Sequence, residues 1–262
     1  MNKLIKKIVA LTKGIRYFFD PLTFHLTNSN QKLEELRNSL KNKPILIVGN
    51  GPSLNKTPLD DFHDVYSIGM NKIDLIFDKT NWRPNIVITQ NSLVARQHWR
   101  NMARSGIPHY LNWNSRWLIP FKSRKFFHFF LTKPNNEFQK DISQSVGASG
   151  TVTYAALQFA YHLGANPIVL VGVDHNFKYT DSPNDYQKRK GDDNNHFDPN
   201  YFADGQYWGV PNLDASEVGF KKAKSAFDDD GRKVLDATID GKLKVFEKIS
   251  IEQAIEIFGE PG

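Results

Sequence analysis

The run NPIVLVGVD, residues 166–174, is apolar at both odd and even positions. A strand of that kind cannot lie on a surface, because each of its faces must be covered. Its length and β-branched content favour a central parallel strand over a helix. Five other stretches read as strands: ILIV within 44–49, DVYSIGMN (64–71), PNIVITQ (84–90), IPHYLNW (107–113) and RKVLDAT (232–238). LKVF (243–246) is a further candidate. Helical spacing separates them at 30–41 and at 151–163, where Gly164 is the expected stop. Ser250 and Gln253 form a capping box for a last helix. Strands alternating with helices predict an α/β, Rossmann-like fold: a mostly parallel sheet with helices on both faces.

Composition bounds the rest. A chain of 262 residues, 40% hydrophobic, suits one large domain. It contains no cysteine, which excludes disulfides, a thiolate nucleophile and Cys-ligated metal. No apolar run approaches the ~18 residues of a membrane-spanning helix. The net charge of +6 is unevenly spread. Residues 1–19 carry Lys3, Lys6, Lys7, Lys13 and Arg16 and no acid, and residues 91–140 carry nine Lys/Arg against Glu137 alone. Such a face attracts phosphate, anionic lipid or nucleic acid. Leu4, Ile5, Ile8, Val9 and Leu11 give the N-terminus an apolar side, interrupted by lysines as no signal peptide would be. The expectation is a basic amphipathic helix over 1–28, resting on an anionic membrane surface or packed on its own domain. A catalytic domain over 29–262 follows. Its location is cytoplasmic, peripheral at the inner face of the membrane if the helix binds lipid. A homo-oligomer stays open.

In a parallel sheet, ligands sit beyond the carboxyl ends of the strands, near the point where strand order reverses. Four loops follow candidate strands: NGPSLN (50–55), MNK (70–72), QNSL (90–93) and DHNFKY (174–179). Asn and Gln in three of them suit hydrogen bonding to a base and ribose, although single loops of this kind also serve as turns. ILIVGNGPSL lacks the Gly-Lys-Ser/Thr of a P-loop and the third glycine of G-x-G-x-x-G. A second small-residue turn, VGASG, precedes the helix at 151–163. There Ser149 is a natural N-cap, and free amides at a helix start can bind phosphate without metal.

The stretch DDNNHFDPNYFADGQYWGVPN (192–212) is too polar and turn-rich for a core strand and reads as a lid whose aromatics argue against disorder. His196 within it is a candidate general base or a structural histidine. Asp174 and His175 close the best strand, where they can orient substrate, bind a cation or cap the next turn. No tight transition-metal spacing occurs, and DDDG (228–231) reads as a solvated turn rather than a calcium loop. Basic and aromatic residues interleave over 91–140, around Trp113, Trp117, Phe121 and KFFHFFL. This pattern can bind single strands, yet no nucleic-acid module is recognisable, and an acidic acceptor or lipid fits as well.

Three elements occur in order: IVGNGPSL, then ASGTVTYAALQFAYHLGANPIVLVGVDHNF, then NNHF. Together they resemble the MptE-like superfamily, which includes 6-hydroxymethylpterin diphosphokinases and the central domain of motility-associated flagellin glycosyltransferases. They are also similar to bacterial lipooligosaccharide sialyltransferases, which use a CMP-activated sugar. The resemblance covers roughly 43–260 as architecture. It implies nucleotide contacts at Asn50, Gly51, Pro52, Ser53, Asn71, Gln90, Ser149 and Gly150, and it makes His196 the catalytic base. The family's arginine before Ser-Gly corresponds to Val146 here. Its tyrosine beside the leaving phosphate falls near Asn176, with Tyr179 close by. Asp174, His175, Asn176 and Tyr179 are accordingly candidate substrate or phosphate contacts.

The expectation is a glycosyltransferase moving a nonulosonic-type sugar from a CMP-linked donor to a cell-surface glycan or glycoprotein acceptor, with no cofactor required. A pterin-type diphosphokinase would instead use ATP and Mg²⁺, with Asp174 toward the metal. A non-catalytic nucleotide-binding module is the third reading. Nucleic acid is the least expected partner.

Overall fold

The computed structural model describes residues 19–177, 186–188, 191–202 and 204–259. The N-terminal amphipathic stretch expected over 1–28 therefore lies outside them up to residue 18, and Tyr179 lies outside as well. Five strands come first: β1 (Ile45–Val48), β2 (Ser67–Met70), β3 (Ile86–Thr89), β4 (His109–Asn112) and β5 (Phe127–Phe130). Two short strands follow, β6 (Thr132–Lys133) and β7 (Val146–Gly147), and then β8 (Ile168–Val171). The chain continues through β9 (Tyr186–Lys188), β10 (Tyr207–Gly209), β11 (Val234–Asp236) and β12 (Glu247–Lys248). The helices are α1 (Asn28–Glu35), α2 (Ser92–Arg104), α3 (Val152–His162), α4 (Leu213–Asp229) and α5 (Ile251–Gly259).

Eight strands make one sheet in the order β12-β11-β8-β1-β2-β3-β4-β5. Every pairing in it is parallel. The apolar runs at 45–48 and 168–171 are its two central strands, in register from Ile45 opposite Ile168 to Val48 opposite Val171. Both are buried at every position. From β1 the chain steps outward through β5, and from β8 it steps the other way. Right-handed crossovers running in opposite directions put helices on opposite faces. The order therefore reverses between β1 and β8, and the crevice of the fold opens there.

Helix α3 is apolar all round because it is covered all round: every residue from Thr153 to His162 is buried. It packs across β1, β2 and β3 on one side and against α4 on the other. Phe159 meets Tyr110 and Phe130 edge-on at 5.4 and 5.5 Å, and Tyr161 meets Phe227 at 5.3 Å. Gly164, at φ +78°, ends the helix as expected. The Ser250–Gln253 capping box forms in both directions, at 2.9 and 3.2 Å.

Three expectations are corrected. The helix read over 30–41 stops at Glu35. Beyond it, Asn38 and Asn42 take positive φ, and the amides of residues 38, 40 and 42 bond the carbonyls of His162, Leu163 and Gly164. This segment thus satisfies the orphan carbonyls at the end of α3, which a continuing helix could not do. LKVF is not a strand; Leu243 and Phe246 are buried from a loop, and the pairing falls on Glu247–Lys248. KFFHFFL contains strand β5, so Phe127, Phe129 and Phe130 belong to the core rather than to a binding face. Among the described residues no helix is long and apolar enough to cross a membrane.

His109 on β4 carries a cost set by the core. It is buried with Nδ1 unpartnered, Nε2 lies 3.0 Å from the Ser105 hydroxyl, and burial pulls its pKa from 6.5 down to about 4. The folded state therefore resists protonation while the unfolded chain accepts it. The stability this provides is full above pH 6.5 and is lost as pH falls toward 4. Urea titrations across that window should show wild type losing roughly 3 kcal/mol more than His109→Gln. Parallel pH curves would remove His109 from the account.

Candidate functional site

The loops leaving β1 and β8 cross at the switch point almost in contact. The Gly49 amide donates to Val171 O at 2.8 Å, and the Gly51 amide donates to Gly172 O at 2.9 Å. A Cβ on Gly49 would lie 2.2 Å from the Gly172 carbonyl oxygen, and one on Gly51 would lie 1.9 Å from Asp174 Oδ2. Glycine is thus required by the crossing itself, in addition to any ligand.

Asp174 fastens the crossing. Its Oδ1 accepts the Ser53 amide at 3.0 Å and its Oδ2 accepts the Ser53 hydroxyl at 2.6 Å. It thereby caps the short helical turn Pro52–Lys56. Burial raises the pKa of Asp174, while both Ser53 bonds favour the ionised form. Asp174 was expected to cap the next turn if any; the turn it caps is instead the one after β1, 121 residues earlier in the chain. Pro52 and Ser53 face that turn and do not line the cavity.

Asn50, Asn71 and Gln90, at the ends of β1, β2 and β3, converge on a cavity of about 550 Å³. Asn50 Nδ2 donates to Met70 O at 3.0 Å, which ties the first loop to the second. The Oδ1 atoms of Asn50 and Asn71 are both buried without a hydrogen-bond partner. Two amide oxygens left unpaired at one cavity cost free energy that a donor-bearing ligand would recover. Gln90 Nε2 donates to Gly147 O at 3.3 Å. Gly51, Gly150, Asp174, His175, Asn176 and His196 also border the cavity.

The start of α3 forms another wall, through Gly150, Thr151, Val152 and Thr153. Thr151 is its N-cap, accepting the Thr153 amide at 3.2 Å. Ser149, expected as the cap, instead turns away and donates to Ala215 O at 2.5 Å, inside the α3–α4 contact. The reason is the positive φ of Gly150, +68°, which swings the chain before the helix begins. Val146 is fully buried in β7 and takes no part in the cavity. No Lys or Arg occurs among the described lining residues. An anion here would meet the positive end of α3 rather than a side-chain cation.

The stretch 192–212 closes the cavity as a fixed wall. Phe197, Tyr201, Phe202 and Trp208 are buried. The Phe197 amide donates to Asn50 O at 3.0 Å, and Asn55 Nδ2 donates to Phe197 O at 2.7 Å. Buried Lys72 donates to Tyr201 O at 2.6 Å and Gln206 Oε1 at 2.8 Å, and sits 4.6 Å from the Phe202 ring centre. Desolvation lowers its pKa to about 8.

His196 lies in this wall. Its ring stacks on Tyr201 at 4.0 Å and 2°. Nδ1 is 2.8 Å from Asp193 Oδ2, and the Asp193 side chain is 0% exposed while that of His196 is 12% exposed. Asp193 also accepts the Asn195 amide at 2.9 Å, which fixes the carboxylate. With Nδ1–H held by a carboxylate, Nε2 carries the lone pair, the arrangement a general base needs. Sequence reading missed Asp193; its i−3 spacing from His196 in a turn-rich loop was the available signal. It also missed Lys72. His175, at φ +51°, approaches Glu217 at 3.6 Å, and burial lowers its pKa. Asn176 borders the cavity where the family's tyrosine was expected.

A family model described as "6-hydroxymethylpterin diphosphokinase MptE-like" matches residues 23–180. Comparison with curated proteins found no match. Among solved structures, the chain is similar to the MAf glycosyltransferase from Magnetospirillum magneticum AMB-1, with TM-score 0.53 and 13% identity. The match covers 87% of this chain and 38% of the other, so the chain spans well under half of that protein. At that identity the likeness is one of fold.

Replacing Asp174 by Ala should lower stability by about 2 kcal/mol, since it leaves the buried Ser53 amide and hydroxyl unpaired. Asp174→Asn, which keeps an acceptor for the amide, should cost less. Chemical denaturation of the three proteins reads this out, and equal midpoints would contradict the capping role.

Proposed function

The chain belongs to the MptE-like family, and from that premise we propose that it is a glycosyltransferase using a nucleotide-activated sugar. The observation that carries the reading is the Asp193–His196 pair, set in a wall of the switch-point cavity that the start of α3 also borders. The resemblance to a glycosyltransferase fold supports the reaction class.

In this reading the nucleotide lies along the loops after β1, β2 and β3. Asn50 and Asn71 accept hydrogen bonds from base or ribose, and Gln90 lies beside them. Gly51 and Gly150 allow close backbone approach. The donor phosphate meets the amides at the start of α3. His196 Nε2 takes the proton of the acceptor hydroxyl while the oxygen attacks the anomeric carbon. The sugar–phosphate bond breaks with its electron pair leaving on phosphate, where the helix start stabilises the charge. Asp193 holds the imidazole in the required tautomer. We take the donor to be CMP-linked, with a nonulosonic-type sugar, and the acceptor to be a surface glycan or glycoprotein.

The family description favours a second reading, pyrophosphoryl transfer from ATP with Mg²⁺. Among the described residues no cluster of three or more His, Asp or Glu could hold a metal ion. Asp174, the carboxylate assigned to Mg²⁺ in that reading, has both oxygens bonded to Ser53. Mg²⁺ is ordinarily held by one or two carboxylates together with substrate phosphates, and the carboxylate this reading calls on already serves the Ser53 turn, which favours the first reading.

Nucleotide release from CMP-, UDP- and GDP-sugars, beside ATP with Mg²⁺, tests the choice. CMP release from a CMP-sugar is expected. His196→Ala should lower it by ~10²–10⁴-fold and leave CMP binding within about twofold. Asp193→Asn should lower turnover by ~10²-fold with binding retained. Activity with ATP alone would overturn the assignment, and loss of CMP binding in His196→Ala would make that residue structural.

A further inference from the structure

Residues 19–25 are helical and apolar on two sides. Inward, Phe24 is fully buried and meets Trp113 edge-on at 5.4 Å. Asp20, toward the same neighbour, accepts from Arg116 at 2.6 Å. Outward, Leu22 and Leu26 are exposed at 63% and 85%. A helix apolar on both sides is ordinarily covered on both.

The segment beside it repeats the pattern. Leu118, Phe121 and Phe126 are exposed, Phe121 at 80%. Between them stand Lys122, Arg124 and Lys125, and residues 113–126 contain no acid. The Arg124 guanidinium lies 5.2 Å from the Phe121 ring centre, and Lys125 Nζ lies 5.2 Å from that of Phe126. Among the described residues none of these three cations forms an ion pair. The Asp20–Arg116 bond and the Phe24–Trp113 contact fasten the helix to the start of this segment, so the two exposed apolar groups belong to neighbouring elements. The sequence leading into the helix adds Lys3, Lys6, Lys7, Lys13 and Arg16 and no acid.

We propose that the face formed by residues 19–26 and 117–126 docks on an anionic lipid bilayer. Exposed Leu and Phe side chains would enter the acyl boundary, and the cations stacked on aromatic rings would remain at headgroup level. Charge decides between occupants. A second copy of the chain would set this basic face against its equally basic equal, whereas an anionic surface complements it. The face lies apart from the His196 cavity, so the inference holds whichever reaction that cavity performs.

Co-sedimentation of the full chain with vesicles tests it. Phosphatidylcholine vesicles containing phosphatidylglycerol should pellet the protein, and pure phosphatidylcholine vesicles should do so several-fold less well. Raised salt should release it. Leu26→Ser and Phe121→Ser, both at exposed positions that folding does not need, should each weaken partition about tenfold. Lys122→Ala with Lys125→Ala should weaken binding to the anionic vesicles by about tenfold or more and leave the neutral ones unchanged. Circular dichroism of each variant should match wild type. Absence of vesicle binding, equal binding to both vesicle types, or variants that bind as wild type does would overturn the proposal. So would a dimer in light scattering that Leu26→Ser or Phe121→Ser dissociates without changing vesicle binding.

Discussion

The structure depends on a backbone crossing at the centre of the sheet. Two glycines, Gly49 and Gly51, let the chains leaving β1 and β8 pass within hydrogen-bonding distance where neither could carry a side chain. One carboxylate, Asp174, then clamps the first loop through both hydrogen-bonding groups of Ser53. The strand order reverses at this point, so the crossing also forms the floor of the cavity. Polar groups at the ends of β1, β2 and β3 gather round it because parallel strands all release their loops at one edge. The wall at 192–212 is built on the same base, through the Asn50 carbonyl and Lys72.

Polar groups of the cavity stand among apolar ones, and its described lining holds no Lys or Arg. Its amide oxygens and the start of α3 supply a set of dipoles. Such groups favour a ligand that carries both hydrogen-bond donors and a phosphate. The buried Asp193 beside His196 gives the imidazole one fixed orientation. Lys122, Arg124 and Lys125 stand instead on the segment around Phe121, none of whose residues borders the cavity.

The central sheet was legible because strands covered on both faces must be apolar at every position, and ILIV and IVLV are. The end of α3 and the start of α5 were legible from Gly164 and the Ser250 capping box, which act locally. What escaped depended on partners distant in sequence. Helix α1 stops at Glu35 because the amides after it serve the end of α3. Ser149 belongs to the α3–α4 contact because Ala215 offers it a carbonyl. KFFHFFL looked like a surface stretch, since Lys125 before edge strand β5 and His128 within it stand beside the buried phenylalanines. Asn50, Asn71 and Gln90 border the cavity because a parallel sheet releases its loops at one edge, whereas His196 reaches it from the 192–212 stretch, outside that sheet. Asp174 was foreseen as a cap for the next turn but serves the one after β1, and Asp193 and Lys72 were missed, because their roles lie in contacts rather than in motifs.

The central claim is that a nucleotide occupies the switch-point cavity, with its phosphate at the start of α3. A crystal structure of the protein with CMP tests this most directly. The account predicts phosphate within hydrogen-bonding distance of the amides at Val152–Tyr154, the nucleoside against Asn50 and Asn71, and His196 Nε2 facing the phosphate's sugar-bearing oxygen. Ligand bound outside this cavity, or an empty cavity at saturating CMP, would contradict it.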